Sequence, residues 1–356
     1  MKFDFKQRWP GVVGVALMTL ITSLWMFWSM GEMFYEGWRG GWGVRLAYLV
    51  PGAVCWLLLV LAVWQPRIGG WALVLVGGGF SMWWWGPEAV RGTLTLRRVL
   101  SEAPMCAAIA GVGTLFLLEG RWRRKREGLG WQPARRWMLR NLHWVAAVGA
   151  PLAVVAAVSA ANLPRILARV DDGERGARRI TTDGVDLIWA PQGPGWNWLQ
   201  DFGGYPSWNG LAWYGAAPIG LDGRKKPDQF ASQTEMETTG LCSYLSADGL
   251  TLMDTPQELW RMPTLDEMAA SLALHGENCG CEWLGGINER LACARCQPDL
   301  ETPLWAPDEA PVYYWVGEEY DEETAYYVSY NGWVKRQPKT WGNPRHGYRC
   351  VREYDE

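Results

Sequence analysis

The sequence predicts a multi-pass α-helical membrane domain of about five transmembrane helices, followed by an α+β domain outside the cytoplasm. Long apolar runs occur only in the first half of the chain, whereas strand-like alternation and turn signals occur only in the second. The charge also changes sign: residues 1–162 hold 17 Lys and Arg against 7 Asp and Glu, and residues 163–356 hold 17 against 30. Such an asymmetry indicates two different environments.

Five apolar runs reach or approach the roughly 20 residues that a helix needs to cross a bilayer. They lie at residues 11–30, 44–64, 68–85, 99–118 and 142–161, and the third and fourth are the shortest. Tryptophans crowd the ends of these runs, as expected for amphipathic rings at the headgroup level. No small-residue cleavage site follows the first run, so we interpret it as a retained helix rather than a signal peptide.

The charged loops predict the orientation. Arg121 to Asn141 holds eight basic residues and one acidic residue, which is typical of a cytoplasmic loop. Counting outward from it places the N-terminus in the cytoplasm and the acidic half outside, and we expect a bacterial inner-membrane protein. The predicted spans are poor in ionisable side chains, with Arg45, Glu102 and His143 near their ends, which favours anchoring in the lipid bilayer over transport.

The second half begins with a charged linker at residues 163–177, followed by a domain at residues 178–356. Two strands are predicted around Asp183-Gly184, and the Gly- and Pro-rich stretch at 191–228 is predicted to be irregular. A helix is predicted at 236–249. A second helix is predicted from the capping box of Thr264 and Glu267 through Ala273, ending at His275-Gly276. From residue 312 onward strands alternate, with a hairpin at Asn331-Gly332.

Four phrases in this half occur in a recognisable order: GLCSYL, WRMPTLDEM, YYWVGEEYDEETAYYVSYNGWV and YRCVRE. Together they resemble the Lcl C-terminal domain family, also called DUF1566, over roughly residues 178–353. The N-terminal helices have no part in this resemblance. The residues that match the family's motifs are Trp260, Arg261, Pro263, Thr264, Tyr314, Trp315, Arg349 and Arg352.

The resemblance implies a C-type-lectin-like fold, related to the formylglycine-generating enzyme superfamily. In such folds a disulfide commonly ties the first helix to the last strand, and Cys242 and Cys350 stand at the corresponding positions. An oxidising compartment outside the cytoplasm permits that bond.

Four further cysteines form a compact group, Cys279, Cys281, Cys293 and Cys296. Their C-x-C and C-x-x-C spacing suits either a structural zinc held by four thiolates or two disulfides. Both alternatives stay open from the sequence. The following Gln297-Pro298-Asp299 resembles a sugar-binding tripeptide of calcium-dependent lectins, but the companion motif is absent, so bound calcium is not expected.

The residues do not predict an enzyme. The chain has three histidines and lacks a nucleophile elbow, a phosphate-binding loop and a His-x-Glu-type metal pair. The cysteine pair and the Trp-rich motif expected of a formylglycine-generating oxidase are also missing. Such an oxidase is therefore the least favoured alternative. The acidic second half makes nucleic acid an unlikely ligand.

A binding or scaffolding module that recognises a glycan, peptide or protein is the favoured function. Aromatic residues in irregular loops suit surface recognition, although the same rings could fill a loop-rich core. An accessory subunit of a larger membrane complex is the alternative. The candidate ligand-binding residues are Trp196, Trp198, Trp208, Trp213, Trp333 and Trp341.

Overall fold

A computed structural model of the chain describes residues 9–38, 40–128, 137–182, 184–196, 206–214, 229–299, 312–342 and 344–354. The chain divides into two compact units, Met1–Pro164 and Arg165–Glu356. The first is helical and the second is rich in β-sheet, as the sequence predicts. Each unit is described by itself.

Long helices make up the described part of the N-terminal unit. A π-helical turn at Met33–Gly37 prolongs the first helix, and another at Val145–Gly149 joins the last two into one rod. The helices are α1 (Trp9–Glu32), α2 (Gly41–Trp64), α3 (Pro66–Arg91), α4 (Leu96–Cys106), α5 (Ala108–Gly128), α6 (Trp137–Trp144) and α7 (Ala150–Leu167).

Fewer than five of these helices are long and apolar enough to cross a membrane. Within the described residues, Trp9–Gly37, Gly41–Trp64 and Asn141–Leu167 qualify. A fourth span requires Leu96–Ala103 and Ala108–Arg124 to act together, although they are bent by 60°. Helix α3 is long but is not among the candidate spans. The structure therefore supports three to four candidate spans, and five stays a prediction.

Glycines allow α3 and α5 to pack closely together. A Cβ atom at Gly70 would lie 2.9 Å from the carbonyl oxygen of Gly113, and one at Gly113 would lie 2.8 Å from that of Gly70. Gly77 likewise meets the backbone of Ala110. Any side chain at these glycines would force α3 and α5 apart, so the close approach depends on them.

Two main sheets organise the C-terminal unit. The first is antiparallel, in the order β1-β2-β12, so the start and end of the unit are paired. The second has the order β11-β8-β9-β10-β6, with β11 parallel to β8. The strands of these sheets are β1 (Arg178–Thr182), β2 (Val185–Trp189), β6 (Glu289–Arg290), β8 (Tyr313–Glu319), β9 (Thr324–Ser329), β10 (Trp333–Pro338), β11 (His346–Gly347) and β12 (Val351–Glu353).

Two further strand pairs are short. Strands β3 (Ala273–Leu274) and β4 (Glu277–Asn278) enclose a turn at His275 and Gly276, both with positive φ. Strands β5 (Cys281–Glu282) and β7 (Ala292–Cys293) lie in the cysteine-rich segment. The predicted helix end at His275-Gly276 is thus a hairpin turn. The predicted hairpin at Asn331-Gly332 is confirmed, with Gly332 at a φ of 81° between β9 and β10.

The helices of this unit are shorter than predicted. The segment at 236–249 is no continuous helix: α9 (Gln233–Thr238) precedes a short 3-10 turn at Leu241–Tyr244. Gly240 lies between the two. A Cβ atom at this position would collide with the carbonyl oxygen of Met236, so no side chain fits here. The remaining helices are α8 (Trp208–Ala212) and α10 (Leu265–Ala270).

The WRMPT segment joins α10 to the last strand. Thr264 and Glu267 form the predicted capping box. Arg261 exchanges two backbone hydrogen bonds with Val351, at 2.9 and 2.8 Å. Its guanidinium also donates two bonds of 2.7 Å to Glu267 and one of 2.6 Å to Glu353. The contacts of the WRMPT segment therefore position strand β12 against α10.

Replacing Arg261 by lysine is expected to destabilise the C-terminal unit by about 1 kcal/mol, because an ammonium cannot bridge Glu267 in two parallel bonds. The side chain is 37% exposed, so solvent screening keeps the loss small. Urea unfolding of the full-length protein in detergent measures the change. Arg336→Lys is the control, since its single ion pair with Asp321 is more exposed. Equal losses in both variants would contradict a special role for the bidentate pair.

Candidate functional site

A cluster of aromatic rings surrounds His346 on one face of the five-stranded sheet. The ring centroid of His346 lies 5.0 Å from that of Trp315, 5.3 Å from Tyr313 and 5.4 Å from Tyr327. Trp341 completes the group at 6.4 Å. His346 itself is 1% exposed, whereas Trp341 is 50% exposed. We call these five residues the histidine cluster.

Strand register brings this cluster together. Tyr313 and Trp315 stand two residues apart in β8, so both side chains point to the same face. Trp315 pairs with Tyr327 of β9, and Tyr313 pairs with His346 of β11. The cluster therefore joins residues from three strands.

Two polar side chains at the cluster have buried atoms without a hydrogen-bond partner. Within the described part of the chain, neither Nδ1 nor Nε2 of His346 has one. The Oε1 atom of Gln337 is also without a partner, while its Nε2 donates to the hydroxyl of Tyr327 at 3.3 Å. Buried polar atoms in proteins are almost always bonded, so these three atoms have the capacity to bond a water molecule or a ligand group.

The site carries little net charge near neutral pH. Burial lowers the pKa of His346 to about 4, so the imidazole is neutral and offers one donor and one acceptor. The buried ammonium of Lys339 pairs with Glu319 at 2.6 Å and donates to the carbonyl oxygen of Ala231 at 2.7 Å. The histidine cluster therefore suits an uncharged polar group that also presents an apolar surface to the rings.

Three of the six candidate tryptophans lie in the core, which corrects the exposed position expected from the sequence. Trp196, Trp208 and Trp213 are 2%, 0% and 6% exposed. Trp198 lies outside the described residues. Trp333 is half-buried and packs against Arg290 and Lys335, and Trp341 belongs to the histidine cluster.

Specific contacts explain why these three rings are buried. The Nε1 atom of Trp208 donates to the carbonyl oxygen of Val316 at 2.9 Å, and that of Trp213 donates to Glu235 at 3.0 Å. The ring of Trp196 lies 3.8 Å from the guanidinium of Arg349. The unit has little regular structure here, so its loops fill the core with large rings. This is the second of the two possibilities that the sequence left open.

The cysteines of the C-terminal unit form three disulfides in the structure. Cys242 is bonded to Cys350, Cys279 to Cys296, and Cys281 to Cys293 across β5 and β7. The described residues include no group of three or more His, Cys, Asp or Glu that could hold a metal ion. These bonds indicate an oxidising compartment for the unit.

Other residues singled out in the sequence have structural contacts. Asp299, of the lectin-like tripeptide, pairs with Arg169 at 2.7 Å. Trp260 is 2% exposed, and the guanidinium of Arg352 lies 4.9 Å from its ring. Pro263 is buried before α10, and Tyr314 is buried on the face of β8 opposite to Trp315. The motif residues other than Trp315 therefore make contacts within the core and with the strands at the two ends of the unit.

Sequence reasoning did not identify His346 and Gln337. Strand alternation places Gln337 on the same face as Lys335, and Lys335 lies opposite Tyr327. This alternation is the sequence signal that could have identified Gln337. His346 reaches the cluster only through the parallel pairing of β11 with β8, which no local pattern announces. No protein-family model, curated protein or solved structure matches this chain. The resemblance to DUF1566 therefore stays a prediction from its motifs.

Proposed function

We propose that the protein is a membrane-anchored, non-catalytic binding module whose C-terminal unit recognises a glycan, peptide or protein outside the cytoplasm. The observation that carries this proposal is a set of buried atoms without a hydrogen-bond partner, both ring nitrogens of His346 and Oε1 of Gln337, beside the half-exposed ring of Trp341. A buried polar group without a partner costs about 1 to 3 kcal/mol. A ligand that supplies the missing bonds recovers that free energy on binding.

A neutral glycan fits the chemistry of this site best. A sugar offers hydroxyl groups, which can donate to Gln337 Oε1 and both donate to and accept from a neutral imidazole. Its C–H face can stack on an aromatic ring such as Trp341. The charge of Lys339 is already compensated by Glu319, so this ammonium does not favour an anionic ligand.

The anchoring role rests on the apolar helices and the disulfides. The helices suit a lipid bilayer, and the disulfides suit an oxidising space. The proposed topology has five spans, a cytoplasmic N-terminus and an extracytoplasmic C-terminal unit in a bacterial inner membrane. The proposed fold of that unit is C-type-lectin-like, as in DUF1566 proteins. The bond between Cys242 and Cys350 and the contacts of Arg261 with the last strand support it.

The test is binding of labelled full-length protein in detergent to arrays of neutral glycans and of peptides. Binding is expected on the glycan array, and Trp341→Ala is expected to weaken it at least tenfold. Trp283→Ala is the matched control, because Trp283 packs on Tyr326, on the opposite face of β9 from Tyr327. Absence of any ligand, or equal losses in the two variants, would count against the proposal.

An accessory subunit of a membrane complex is the second candidate. Gly78, Gly79 and Gly111 have open space where a side chain would stand, unlike the glycines between α3 and α5. Such smooth helix surfaces can accept a helix of another protein. Gentle extraction at native levels separates the candidates: a partner in fixed ratio supports the subunit, and a lone protein or homo-oligomer supports the binding module.

A further inference from the structure

An open cleft of about 540 Å³ lies between α1 and α2 in the N-terminal unit. Trp25 and Trp28 form its aromatic wall, with ring centroids 5.6 Å apart and planes inclined by 13°. Ala47, Tyr48 and Pro51 line the side of α2. Trp28 is 51% exposed, so the wall is accessible from outside the helix pair.

The cleft is mostly apolar and has a few hydrogen-bonding groups, among them the carboxylate of Glu32. Trp28 Nε1 donates to the carboxylate of Glu32 at 2.9 Å, which fixes that group at the cleft. Tyr48, which lines the cleft, donates its hydroxyl proton to Glu36 at 2.8 Å, so a second carboxylate contacts a lining residue. Pro51 has no N–H, so the carbonyl of Ala47 lacks the donor that residue 51 would supply in a regular helix.

A positive charge lies near the same end of α2. Arg45 donates from Nε to the carbonyl oxygen of Trp38 at 2.7 Å, and its guanidinium lies 4.2 Å from the ring of Trp38. Arg45 and Tyr48 are three residues apart and therefore share a helix face. The guanidinium of Arg45 therefore lies on the same face of α2 as Tyr48, whose hydroxyl bonds Glu36.

The cleft's position near one end of two candidate spans suits a lipid headgroup. The cleft lies towards the end of the candidate span Trp9–Gly37 and the beginning of Gly41–Trp64. Trp38 and Trp42 flank the connection between them, as rings do at a membrane–water interface. Exposed apolar side chains continue from this level along α1, including Leu24 and Phe27.

We propose that this cleft binds one phospholipid with a primary ammonium headgroup, of which phosphatidylethanolamine is the simplest. The ammonium would donate to Glu32 and to the carbonyl of Ala47 while lying against the tryptophan wall. The adjacent phosphate would face Arg45. A quaternary headgroup has no N–H to donate, and an anionic headgroup without an ammonium would meet the two carboxylates. The acyl chains would follow the exposed apolar side chains of α1.

The test is lipid competition on the full-length protein. Delipidated protein in detergent is mixed with equal amounts of phosphatidylethanolamine, phosphatidylcholine and phosphatidylglycerol, and native mass spectrometry counts the lipid retained. We expect phosphatidylethanolamine to be retained at least tenfold over the other two. Glu32→Gln, which preserves the size of the side chain, is expected to abolish this preference, and Trp28→Leu to weaken it.

Trp83→Leu is the control, because Trp83 is an exposed ring of α3 outside the cleft. Thermal unfolding of each variant establishes that it is folded, and a loss of preference in folded Glu32→Gln, with the preference kept in Trp83→Leu, then supports the site. Equal retention of the three lipids by the native protein would overturn the proposal, as would a preference unchanged by Glu32→Gln. This inference does not depend on the histidine cluster.

Discussion

Replacement of both Cys242 and Cys350 by alanine is expected to lower the free energy of unfolding of the C-terminal unit by about 4 to 5 kcal/mol. The two cysteines are 108 residues apart, so their bond removes a large amount of conformational freedom from the unfolded chain. Both are also buried in the core, which adds some lost packing. Urea unfolding of the full-length protein in detergent, with and without reductant, measures the effect.

The shorter disulfides supply the matched control. Cys281 and Cys293 are separated by 12 residues, so the same double replacement there is expected to cost only about 3 kcal/mol. In the presence of reductant, the contribution of each bond is lost from the native protein. The free energies of unfolding of the native protein and of each double variant should then become equal. A larger loss from the shorter loop would contradict chain entropy as the main contribution of these bonds.

The same protein preparation distinguishes disulfides from zinc at the four-cysteine group. Two disulfides lower the intact mass by the four hydrogens of the thiols and make the unit insensitive to chelators. A zinc bound by thiolates would add the mass of the metal, and a chelator would destabilise the unit. The pairing of Cys279 with Cys296 and of Cys281 with Cys293 predicts the first result.

Local signals in the sequence predicted local structure correctly. Asn331-Gly332 forms the turn of a hairpin, and Thr264 and Glu267 form a capping box. Both features depend only on residues within a few positions of one another in the chain. The predicted helix at 236–249 was wrong for a related reason. Its apolar spacing suited a helix, but the helix ends at Thr238 and the chain continues through Gly240 into a short 3-10 turn.

The burial of Trp196, Trp208 and Trp213 could not be predicted from the composition of their loop. A loop rich in Trp, Gly and Pro has no periodicity that distinguishes a surface ring from a core ring. Trp208 is buried because Val316, 108 residues away, accepts its N–H and Lys339 lies over its ring. The histidine cluster depends in the same way on the pairing of β11 with β8. Long-range pairing decided both outcomes.

Acidification from pH 7 to pH 4 is expected to destabilise the C-terminal unit by about 3 kcal/mol through His346 alone, because one pKa unit corresponds to about 1.4 kcal/mol. Burial lowers the pKa of His346 from its ordinary value near 6.5 to about 4. Between these two values the unfolded chain binds a proton at this residue and the folded chain does not. Stability is therefore complete above pH 6.5 and falls steadily as the pH drops towards 4.

His346→Gln separates this effect from the titration of carboxylates, which also contribute to acid unfolding. The charged groups on the same sheet face, Lys335, Lys339 and Glu319, stay in both proteins. The native protein should lose about 3 kcal/mol more than the variant across this pH range. Parallel curves would show that protonation of His346 is not disfavoured in the fold. A ligand that bonds the imidazole only in its neutral form should protect the native protein most strongly above the pKa, and it should leave the variant unchanged.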